Sequence, residues 1–78
     1  MGDPTELIVA FNRGTSEGQA RASVQRCGAH TRRRMRTDHA DQVTLLVRVD
    51  PSDADALKSA LAGQVEYIED NQSGYRAL

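Results

Sequence analysis

The sequence has no tryptophan, one phenylalanine and two tyrosines, so any core has to be built from aliphatic side chains. Its single cysteine, Cys27, excludes an internal disulfide. No run approaches the roughly 18 consecutive apolar residues of a membrane-spanning helix, and no membrane partner is expected. Ten basic residues against eleven acidic ones leave a net charge of −1, so overall charge gives no reason to expect a nucleic-acid partner. His30 and His39 lack a spaced set of Cys or His partners for zinc. Ser16 and Ser73 have no base and orienting group nearby in sequence, and there is neither a glycine-rich phosphate loop nor a paired-carboxylate signature. No enzyme activity, metal or cofactor is expected. Seventy-eight residues make one domain, 1–78, that buries a modest fraction of its surface.

What is present is periodic. Leu7-Ile8-Val9-Ala10-Phe11 is a continuous apolar run, the pattern of a central strand covered on both faces. Asn12 to Thr15 reads as a turn. Ser16 with Gln19 three residues on is a capping box, and Ala20, Val24 and Cys27 then recur at helical spacing until Gly28, which can take the left-handed stop conformation. Ala29 to Thr37 reads as a second strand, Asp38 to Asp41 as a hairpin connection and Gln42 to Val49 as a third strand. Asp50-Pro51 opens a second helix, with the acid as cap and proline at the first helical position. Ala54, Leu57 and Leu61 form its buried stripe and Gly63 its stop, and Val65 to Glu69 is the fourth strand.

The order strand-helix-strand-strand-helix-strand predicts an α+β fold, the ferredoxin-like βαββαβ sandwich. It has one antiparallel four-stranded sheet and both helices on one face. By alternation, Leu7, Val9, Phe11, Val43, Leu45, Val47 and Val49 face the helices. The opposite face is expected to carry Ile8, Ala10, Leu46 and Ile68, open to water. Apolar groups there are either scattered surface aliphatics or a docking face.

Charge is distributed unevenly. Arg32, Arg33, Arg34 and Arg36 crowd the second strand, while residues 50–70 hold six acids against Lys58. A charged edge strand resists unwanted pairing, which accounts for the arginines without a ligand. Residues 71–78 form a polar, extended tail ending Tyr75-Arg76-Ala77-Leu78. An aromatic and an aliphatic near the end of such a tail suit an extended peptide whose side chains fill pockets on another protein.

Three segments carry a resemblance. Glu6 to Asn12 is an apolar strand ending in Phe and a polar residue, Ser16 to Ala29 a helix closing on glycine, and Val65-Glu66-Tyr67-Ile68-Glu69-Asp70 an apolar-Tyr-apolar strand followed by acids. In this order and spacing the chain resembles the propeptide-type inhibitors of subtilisin-like serine proteases. It departs from their pattern at Asp70-Asn71, where a second acid and then Asp are common. The resemblance implies a protease inhibitor, possessing no catalysis of its own, that also assists protease folding as an intramolecular chaperone if it is a propeptide. Its sheet face (Ile8, Leu46, Ile68) and the acids Glu69 and Asp70 are expected to dock on the protease. The acids would meet helix N-termini there. Tyr75, Arg76, Ala77 and Leu78 are expected to occupy the substrate cleft, with Leu78 nearest the catalytic serine. The free chain is expected to be monomeric. Met1 to Thr5 lack a basic-then-apolar leader pattern, so the expected location is cytoplasmic for a free-standing inhibitor and secreted for a trimmed propeptide. The alternative is a small nucleic-acid- or ligand-binding module of the same fold. RNA-binding relatives stack bases on aromatics of the exposed sheet face, and the first and third strands offer only Phe11, assigned to the core.

Overall fold

The computed structural model describes residues 4–37 and 39–71. The chain runs β1 (Thr5–Phe11), α1 (Glu17–Arg26), β2 (His30–Met35), β3 (Thr44–Val49), a 3₁₀ turn (Pro51–Asp53), α2 (Ala54–Leu61) and β4 (Val65–Asp70). The four strands form one antiparallel sheet in the order β2-β3-β1-β4. This is an α+β, ferredoxin-like arrangement. Both central strands are the apolar ones, and the arginine-rich β2 lies at an edge. None of the described helices is long and apolar enough to cross a membrane.

Local chemistry explains the element ends. Ser16 caps α1: its side chain accepts from the Gln19 N–H at 3.1 Å, and the Gln19 carboxamide accepts from the Ser16 N–H at 3.2 Å. Gly28 closes α1 at φ +78°, a conformation that costs glycine little and other residues more. Asp50 caps the 3₁₀ turn, accepting from the Ser52 N–H at 2.9 Å and hydroxyl at 2.7 Å. These two hydrogen bonds hold its carboxyl below the ordinary 3.8. Proline follows the cap, as expected, but α2 itself starts one turn later, at Ala54. Gly63 lies in the turn after α2 without a positive φ, so that helix ends without the left-handed device.

The core lies between the sheet and the helices. Leu7, Val9, Phe11, Val43, Leu45, Val47 and Val49 meet Ala20, Val24, Leu57 and Leu61 there. Cys27 and Ala54 are half-buried against this cluster. Two polar groups at its margin are satisfied: Gln42 donates to the Phe11 carbonyl at 3.1 Å and Ser23 to the Gln64 side chain at 2.9 Å.

Two β-bulges alter the alternation. In β4, Ala10 pairs with Tyr67 but Phe11 pairs with Val65, which leaves Glu66 as an extra residue. A bulge of this kind shifts which side chains share a face. Val65 and Ile68, three residues apart, therefore both pack on the helix-side core. Ile68 is not on the open face, contrary to the expectation from simple alternation. In β2, Thr31 pairs with Val47 and Arg33 with Leu46, so Arg32 is the extra residue.

Candidate functional site

The face of the sheet away from the helices can be written out from the pairing register. Residues directly opposite one another share a face. Across β2, β3, β1 and β4 in turn, one row is Met35, Thr44, Ala10 and Tyr67. The middle row is Arg33, Leu46, Ile8 and Glu69. The third row is His30, Arg48 and Glu6, with Asn71 just beyond the end of β4. The face is apolar along its middle, basic on the β2 side and acidic on the β4 side.

Several of these positions depart from what alternation alone suggests. Leu46 is only 7% exposed and Ala10 0%, so this face is not open to water at its centre. Part of the reason is charge with long stems. Arg32 on β2 reaches Glu6 on β1 at 2.8 Å, and Arg48 on β3 reaches the same carboxylate at 3.7 Å. Arg32 has to cross β3 to make that contact, and the methylene stems of such residues cover apolar surface while the charge stays in water.

Tyr67 is 47% exposed and stands beside Ala10 on this face. Sequence reasoning gave it no role. The signal was available: with Val65 and Ile68 both apolar and three apart, Glu66 and Tyr67 between them point the other way once a bulge is admitted. Tyr67, Ile8, Met35, Thr44, Glu66 and Glu69 line a groove of ≈ 450 Å³. Glu66 joins Glu69 there because it is the bulged residue.

The two acids at the end of β4 are separated. Glu69 lies opposite Ile8 on the open face, whereas Asp70 lies opposite the core residue Leu7 and forms an ion pair with Lys58 of α2 at 3.7 Å. Asn71 continues the ladder, its N–H donating to the Glu6 carbonyl at 2.9 Å, so the pairing of edge strand β4 with β1 extends to this residue. Tyr75, Arg76, Ala77 and Leu78 lie outside the described residues. Among the described residues no three His, Cys, Asp or Glu side chains come together to hold a metal ion. No family model, characterised protein or solved structure matches the chain.

Proposed function

We propose that this chain inhibits subtilisin-like serine proteases, docking through the open sheet face and presenting the residues after Asn71 to the substrate cleft. The observation that carries the reading is the anchoring of Asn71. Asn71 is hydrogen-bonded to β1 at the end of an edge strand, so the residues beyond it depart from a point anchored in a folded domain. Anchoring lowers the ordering cost of binding. The resemblance of the β1, α1 and β4 segments to propeptide-type inhibitors supports the same reading. Ile8, Tyr67 and Glu69 supply the apolar and acidic contacts on the docking face, and Glu66 adds a second acid beside them. Asp70, held toward α2, and Ile68, in the core, are the weaker candidates. The chaperone role belongs to this reading only if a protease domain lies downstream in the same precursor.

The alternative nucleic-acid module gains one aromatic, Tyr67, on the open face. Glu66 and Glu69 line the same groove as Arg36, so it lacks the predominantly basic lining that phosphate contacts favour. The protease reading is therefore preferred.

Deleting residues 75–78 tests it. Inhibition of a subtilisin should weaken by orders of magnitude while the circular dichroism spectrum stays nearly unchanged, because the described residues up to 71 already form a closed apolar cluster. Undiminished inhibition by the shortened chain would exclude insertion in the cleft. No inhibition by the full chain, across a panel of subtilisins, would exclude the reading altogether.

A further inference from the structure

The open face has an order that a protease does not require. In its middle row, Arg33 on β2 and Glu69 on β4 stand at opposite edges with Leu46 and Ile8 between them. Both are exposed, and neither has an ion-pair partner among the described residues. Three inter-strand spacings separate them, roughly 14 Å, too far to pair within one chain. The next rows repeat the sense: Arg48 on β3 lies opposite Glu6 on β1, and Met35 and Tyr67 occupy the two ends of the apolar row. About the line between β3 and β1, every row is basic or thioether on one side and acidic or aromatic on the other.

We infer that this face pairs with the same face of a second copy, about a twofold axis parallel to the strands. That rotation exchanges β2 with β4 and β3 with β1. It sets Arg33, unpaired among the described residues, against Glu69 of the second copy and Met35 against its Tyr67, where sulfur and ring attract. Arg48 and Glu6, already paired within each chain, meet across the same axis. Each contact occurs twice, as a twofold interface demands. A twofold axis perpendicular to the strands would instead set Arg33 on Arg33 and Glu69 on Glu69, so the charges select one of the two face-to-face arrangements. The chosen one keeps the strands of the two sheets nearly aligned, as in packed sheet pairs.

Area limits the strength. Four strands about 4.8 Å apart and three rows deep give a footprint on the order of 300–400 Å² per copy, below the ~800 Å² per partner of a standard stable complex. The dimer is therefore weak and concentration-dependent, and it replaces the monomer expected from sequence only at high concentration. Dimerisation is independent of the protease reading. The two share a face, so a protease and a second copy exclude one another.

Sedimentation equilibrium of the full chain tests it without any protease. A monomer–dimer equilibrium is expected at concentrations up to about 1 mM, where association this weak is measurable, and it should weaken as salt rises. Arg33→Glu and Glu69→Arg should each weaken dimerisation by about tenfold or more, since two attractive pairs become two like-charge pairs. Mixing those two variants should restore association as a heterodimer, and the double variant R33E/E69R should restore it as a homodimer. Thermal melts of all variants should match, because both sites are exposed. A monomer throughout that range overturns the inference. So does a dimer indifferent to these charges, or a double variant no better than either single one.

Discussion

The two faces of the one sheet are built on different plans. The helix face is a closed aliphatic layer: Leu7, Val9, Leu45 and Val47 are completely buried against α1 and α2. The open face buries its centre as well, at Ala10 and Leu46, but neither α1 nor α2 lies over it. Its cover includes side chains of its own strands, among them the clasp of Arg32 and Arg48 on Glu6. A layer of packed helices cannot admit a charge, whereas a cover of charged stems can rearrange around one. Adjacent residues on β3, Leu45 and Leu46, sit on the two sides of that difference.

The largest expected effect breaks the helix face. Leu45→Glu puts a carboxylate where no partner or water reaches, at a cost of several kcal/mol. That is comparable to the whole net stability of a small domain, about 5–15 kcal/mol. The variant should show no cooperative thermal transition. Leu46→Glu loses apolar burial but places its carboxylate beside Arg33 and Arg48, the neighbours of Leu46 on this face. It should remain folded and lose about 1–3 kcal/mol, measurable by urea denaturation. Equal damage from the two substitutions would mean that the open face is as closed as the other.

Much of this comparison could be read from the sequence, and its limits have physical causes. The capping box at Ser16, the glycine stop at Gly28 and the β3 alternation from Val43 to Val49 depend on near neighbours in the chain. The structure has all three. The face of Ile68 depends on a bulge at Glu66, which is set by how β4 meets β1 across more than fifty residues. The burial of Leu46 depends on what neighbouring strands place over it, as when Arg32 reaches across β3 to Glu6. Both are pairwise tertiary facts, invisible to a count of alternation along one segment. The division of Glu69 from Asp70 is a strand-parity effect. It would have been legible had the face of Tyr67 been assigned first.

A smaller effect sharpens the helix-face side. α1 covers that face only if its first turn is held, and Ser16 supplies the acceptor that holds it. Ser16→Ala should cost about 1 kcal/mol, as loss of an N-cap does. Ser16→Gly should cost only a few tenths of that unit. Chemical denaturation of the pair separates a capping loss from general damage to the turn, because the glycine variant leaves the cap conformation accessible while removing the same hydroxyl.

The smallest effect compares the carboxylates that clasp two arginines on each side of the sheet. Glu6 does so on the open face. On the helix face Glu17 receives the Arg21 guanidinium at 2.8 Å and that of Arg34 on β2 at 3.2 Å, tying α1 to the edge strand. The hydrogen bond from Arg21, with a further one from Arg34, holds the Glu17 carboxyl below its ordinary 4.5 against the opposing cost of desolvation. A carboxyl with a depressed folded-state value stabilises the fold above its unfolded value. It loses that contribution as pH falls through the folded one. The melting temperature should therefore be insensitive to this group above about pH 5 and should fall below it, toward pH 3. Glu17→Gln removes the titrating group, so its melting curve should start slightly lower near neutral pH and decline less on acidification. Because Glu17 and its two arginines lie at the surface, the difference is small and should shrink further in high salt. Superimposable pH profiles for the two chains would show that the α1–β2 tie contributes nothing, leaving the helix layer held to the sheet by apolar packing alone.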